Sequence, residues 1–169
     1  MLRCINLFLL FLVTSNVFAI DLIGGRIDNS GKFPEVVWIR SGNYACTASI
    51  IGPRTLLTAA HCTDDTGVST HVSETPYYQF IFKREKYTAM CTSAPYYRGE
   101  VGDQDLALCK INKKIKVKYA VINKTGPSLG ERVVLMGYGC TERGGGVDGN
   151  DGYLRYGKST VTRKKDWGR

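Results

Sequence analysis

At 169 residues and a formal net charge of +8, the chain can bury a good core, and its basic balance favours acidic substrates, anionic glycans or cell envelopes without choosing among them. Its strongest apolar run, Ile5 to Val13, is too short and wrongly flanked to cross a bilayer, which excludes a membrane helix there. That run instead completes a secretory leader over residues 1–19, with Arg3 as the positive end and Val17-Phe18-Ala19 as a small-residue cleavage site. Cys4 precedes the apolar core, which argues against a lipid anchor. Removing the leader leaves 150 residues and five of the six cysteines, an odd number for an exported protein.

Ile20-Asp21 and Leu22-Ile23-Gly24-Gly25 follow the leader; taken alone, the glycine pair is a turn into a first strand. Gly31 to Pro34 is turn chemistry, and residues 35–40 are apolar and β-rich. Ser41-Gly42-Asn43 breaks that strand. A second is predicted from Tyr44 to Ile51, a turn at Gly52-Pro53, and a third from Arg54 to Ala60. Short strands and turns at this spacing predict an antiparallel barrel or sandwich.

The third strand runs into Thr58-Ala59-Ala60-His61-Cys62, which sets an imidazole beside a cysteine. Residues 63–76 are polar and loop-like, and hold the only other histidine, His71, read as solvated. Tyr77 to Phe82 is a strand by composition, and Tyr87 to Cys91 another. In Gly102-Asp103-Gln104-Asp105-Leu106-Ala107-Leu108-Cys109-Lys110-Ile111, two alternating sets of side chains mark a strand whose mouth carries Asp105. Asp103 is the rival carboxylate, two residues earlier and in the preceding loop.

Lys113, Lys114, Lys116 and Lys118 make residues 112–119 strongly basic. No aromatic residues interleave to stack bases, so this reads as a solvated linker face and implies no nucleic-acid partner. Asn123-Lys124-Thr125 is a glycosylation sequon in a host with that machinery. Gly126-Pro127-Ser128-Leu129-Gly130 fits a nucleophile-elbow pattern, but Pro127 and Gly130 mark a turn into the strand Arg132 to Met136, where an elbow needs a helix. Gly144 to Gly152 is a loop with Asp148 and Asp151; one imperfect copy of a glycine repeat cannot build a stacked calcium site. A last strand is predicted from Leu154 to Thr162.

Thr58-Ala59-Ala60-His61-Cys62 closely resembles the histidine motif of the chymotrypsin-like (trypsin-like) serine peptidases, which carries the base of a Ser-His-Asp triad. Asp105, followed by Leu-Ala-Leu-Cys-Lys-Ile, resembles the family's aspartate motif, with Cys109 in one aliphatic place. Leu22-Ile23-Gly24-Gly25 looks like the family's activation terminus, and Gly137-Tyr138-Gly139 stands where the family usually has Gly-Trp-Gly.

The resemblance implies His61 as general base, Asp105 as its orienter, and Leu22 as the N-terminus freed by an activating protease, with Ile20-Asp21 as a dipeptide propeptide. It implies a Cys46–Cys62 bridge. Cys91 and Cys109 are the remaining pair in the first half and open to bridging, and sequence does not fix that connectivity. Cys140 is left over. The implied fold is all-β: an antiparallel six-stranded barrel over 22–119, a crossing over 120–131, and an incomplete second barrel over 132–169. The implied substrates are proteins or peptides. Metal and organic cofactors are not required, and no membrane partner is expected once the leader is gone. The implied place is extracellular, or periplasmic in a bacterium.

A double barrel runs to roughly 200–250 residues, and no stretch of the chain resembles Gly-Asp-Ser-Gly-Gly, which would supply the nucleophile and the oxyanion amides. The expectation is a truncated chain, inactive by itself. The alternative is a non-catalytic pseudoprotease of the same ancestry that acts as a secreted binding protein.

Overall fold

The computed structural model describes residues 25–41, 44–63, 77–98, 104–139 and 152–163. The leader, Ile20-Asp21, Leu22, His71, Asp103, Cys140 and most of the Gly144 to Gly152 loop lie outside the described residues.

Among the described residues, nine strands make two sheets. β1 (Arg26–Ile27), β2 (Val36–Ser41), β3 (Tyr44–Gly52), β4 (Thr55–Thr58), β5 (Tyr77–Phe82), β6 (Glu85–Ser93), β7 (Ala107–Ile111), β8 (Arg132–Gly137) and β9 (Arg155–Thr160) follow in chain order. Six of them close an antiparallel barrel in the order β2-β3-β4-β7-β6-β5. β8 and β9 pair antiparallel along their length, and β1 adds to the outer edge of β9.

Strand periodicity fills the barrel. Ile39, Ile50, Leu56 and Ile111 are fully buried inside it, against Tyr78 and Phe80, each aliphatic side chain contributing about 1.5–3 kcal/mol. β7 alternates buried and exposed, with Ala107, Cys109 and Ile111 inward and Leu108 outward. On the inward face Cys109 meets Cys91, its direct partner across β6 and β7. β5 and β6 turn through Lys83 and Arg84, both at positive φ, which matches the twist of a tight hairpin. β6 is therefore longer at both ends than the sequence predicts.

The basic stretch after β7 is more than a linker. Its lysines are exposed, but Ile115 is buried in the barrel core and Val117 and Tyr119 pack against it. The backbone N–H of Ile115 donates to Pro53 O, and the Tyr119 hydroxyl to Ile115 O. Counting lysines hid an alternation that straps the segment across the barrel end.

Barrel and sheet meet at Tyr138. Its ring stacks on Trp38 at 6.3 Å, its backbone N–H donates to Thr47 Oγ1, and its hydroxyl donates to Val36 O. Gly152 lies against the same Trp38 ring: a Cβ there would stand 3.0 Å from it. Ser128, the rejected elbow serine, sits in an exposed turn closed by its N–H donating to Glu131 Oε2, and β8 follows instead of a helix.

Candidate active site

The site begins where β4 stops. Strand geometry ends at Thr58, two residues before the sequence predicts, and Ala60–Cys62 forms a single 3-10 turn. Thr58 closes the strand by donating its hydroxyl to Thr47 O. Ala60 is fully buried against Ala107 and Tyr97. The turn is locked from behind, because Thr63 donates both its N–H and its Oγ1 hydroxyl to Ala60 O at 2.8 Å. Tyr78 reaches across from β5 and donates its hydroxyl to Cys62 O.

Register then brings the aspartate in. Thr58 pairs with Ala107 across β4 and β7, and that antiparallel register carried two residues further sets Asp105 opposite Ala60. Asp105 Oδ1 accepts the backbone N–H of His61 at 2.8 Å, and Oδ2 lies 2.6 Å from His61 Nδ1. Burial works to raise the Asp105 carboxyl, but the bonds from the His61 backbone and ring, with the Ala60 N–H, outweigh it. The carboxyl is held below its ordinary value. An ionised carboxylate only accepts, so Nδ1 carries a proton, and in the neutral ring Nε2 keeps its lone pair.

The Cys46–Cys62 disulfide anchors the far end of the turn to β3, with Cα atoms 6.1 Å apart. His61 Nε2 lies 3.6 Å from the bridged Cys62 Sγ, which has no proton to give, so this contact is packing. Cys46, His61 and Cys62 place possible metal-ligand atoms within 4.8 Å of one another, yet the two sulfurs are bonded together and offer no thiolate.

A buried carboxylate holding an open, proton-accepting imidazole is the geometry of a general base. A family model described as Trypsin matches residues 22–168. The chain belongs to the trypsin family. It is similar to transmembrane protease serine 9 of Rattus norvegicus, 27% identical over 136 residues, covering 75% of this chain and 13% of that protein. It is also similar to serine protease SP24D of Anopheles gambiae, 26% identical over 147 residues, covering 83% of this chain and 53% of the other. The chain thus spans about half the length of the mosquito protein and much less of the rat one. Among solved structures, mouse neuropsin, a serine protease, superposes with a TM-score of 0.64 at 15% identity, over 83% of this chain and 65% of that one. This likeness shows the fold, the six-stranded barrel of a chymotrypsin-like protease.

His61 and Asp105 are brought together, and Cys91–Cys109 joins Cys46–Cys62 as a second bridge. Leu22 lies outside the described residues. Sequence reasoning missed Tyr78, Thr63 and Tyr97, which hold the turn through backbone carbonyls and packing; no motif spacing signals such contacts. A separate groove of about 830 Å³ is lined by residues of β2 and β5, strands that pair at Arg40 with Gln79. Its walls include Trp38, Phe80 and Tyr138, and neither His61 nor Asp105.

Proposed function

We propose that this chain carries the base and orienter of a secreted serine endopeptidase site, with His61 and Asp105 as catalytic residues. The observation that carries the reading is the 2.6 Å contact between Asp105 Oδ2 and His61 Nδ1, with the imidazole half exposed above it. In this reading Nε2 takes the proton of a serine hydroxyl attacking a peptide carbonyl, Asp105 stabilises the imidazolium that forms, and Nε2 returns the proton to the leaving amine. The substrates are proteins or peptides, and residues 1–19 are a secretory leader. Release of the Leu22 amine by another protease, after loss of Ile20-Asp21, is the activating step. The domain reading is a first barrel over 22–119, a crossing over 120–131 and part of a second barrel over 132–169.

The 169 residues hold no Gly-Asp-Ser-Gly-Gly, so by themselves they form no acyl-enzyme. The rival reading, a pseudoprotease acting as a binding protein, leaves the buried orienter and the open base without a purpose. The test is hydrolysis of an unfolded protein substrate, with labelling by a fluorophosphonate, in two preparations. The chain alone is expected to do neither. The chain joined to the serine-bearing barrel segment of a relative is expected to hydrolyse substrate, and to lose that activity on His61→Ala. Equal activity of the joined His61→Ala variant would overturn the proposal.

A further inference from the structure

The sequence holds one Asn-x-Ser/Thr tripeptide, Asn123-Lys124-Thr125, and the structure presents it clear of the fold. The chain is tied down before it, where the Ala120 N–H donates to Ile50 O. It is tied down again after it, where the Gly130 N–H donates to Val161 O and Val161 returns a bond to Glu131 O. Every residue from 121 to 131 between those anchors is exposed. Gly126, at a φ of 66°, turns the backbone just past the tripeptide.

Within the tripeptide the carboxamide has one orientation. Asn123 Oδ1 accepts the Thr125 N–H at 3.0 Å and the Thr125 Oγ1 hydroxyl at 2.8 Å. A backbone N–H can only donate, so the atom facing it must be the oxygen, and the amide flip is fixed by its partners. With Oδ1 turned inward to Thr125, Nδ2 stands on the opposite side of the planar group.

We propose that Asn123 is the acceptor for an asparagine-linked oligosaccharide, transferred at Nδ2 from a polyprenyl-pyrophosphate-linked donor. In that step a bond forms between Nδ2 and the anomeric carbon, and the bond from that carbon to the pyrophosphate oxygen breaks. One amide proton leaves to a base, the polyprenyl pyrophosphate departs, and nothing is oxidised or reduced. A glycan rooted there has a physical use: Val121 and Ile122, next to it, are 91% and 58% exposed, and a bulky solvated chain keeps such surface from self-association. The proposal rests on the secretion reading, since the transfer takes place only on a chain that enters the secretory pathway.

The test is expression of the full chain in a eukaryotic secretory host, beside the same chain with residues 1–19 replaced by an export leader of proven function. Digestion with a peptide N-glycosidase is expected to lower the mass of the product and to convert Asn123 to aspartate, read by peptide mass spectrometry. Asn123→Gln and Thr125→Ala are expected to lack the glycan, and Thr125→Ser to keep it. Modification of the leader-swapped chain alone supports the acceptor site and contradicts secretion by residues 1–19. Unmodified Asn123 in leader-cleaved protein from both chains overturns the proposal.

Discussion

The Asp105 side chain is 6% exposed, while the His61 side chain it holds is 47% exposed. The two halves of the dyad thus live in different dielectrics. The carboxylate accepts the backbone N–H and the ring N–H of His61 in a nearly dry place, and the imidazole meets solvent with its other nitrogen. Asp105→Ala should strand the backbone N–H of His61. Leaving a buried donor unsatisfied costs about 1–3 kcal/mol, and a loss of that order is expected in the midpoint of a denaturant titration. Asp105→Asn keeps an acceptor for the backbone and should lose less.

Acid should act through the same carboxylate. Its folded value lies below the ordinary 3.8, so its contribution to stability is fully present above the unfolded value. As pH falls below about 3.8 and on through the lower folded value, that contribution is lost. The stability difference between the wild-type chain and Asp105→Asn should shrink across that window, measured by denaturation at a series of pH values.

The two disulfides close loops of similar size, with separations of 16 and 18 residues. Each should stabilise the fold by about 3 kcal/mol through the unfolded chain. They should differ in what they do to the site. Cys46–Cys62 is a covalent tie between the His61 turn and β3, whereas Cys91–Cys109 joins strands already paired at five positions. Cys46→Ala with Cys62→Ala should therefore speed amide hydrogen exchange at His61. The other double variant should leave it protected.

Gly152 packs closely on the Trp38 ring. Its φ of +89° disfavours any side chain, and a Cβ would meet the Trp38 ring at 3.0 Å. Gly152→Ala should destabilise the chain by more than about 1 kcal/mol and disturb the Trp38–Tyr138 stack. Tryptophan fluorescence and a denaturation midpoint read both effects.

A barrel or sandwich of antiparallel strands was legible because the strands are short, apolar in alternation and separated by turn residues; the choice of a six-stranded barrel came from the resemblance carried by Thr58 to Cys62 and Asp105 to Ile111. The sequence did not show where β4 stops. Ala59 and Ala60 are acceptable in a strand, and only the contact of Ala60 with Tyr97 and Ala107 decides for a turn. Nor did it show Ile115 inside the core, since four lysines around it set the average character of the stretch. β1 was hidden by being two residues long. It exists through pairing with β9 and has no pattern of its own. The dyad itself was read from its motifs; the register of Thr58 with Ala107 is what makes those motifs meet.

The claim that His61 is poised as a base by Asp105 is tested most directly by nitrogen and proton magnetic resonance of the His61 ring near neutral pH. The account predicts a proton on Nδ1, shifted far downfield and slow to exchange because it is bonded to Asp105, with Nε2 unprotonated in the neutral ring. In Asp105→Asn that resonance should disappear. A neutral ring carrying its proton on Nε2, or an Nδ1 proton exchanging as freely as in an unfolded chain, would contradict it.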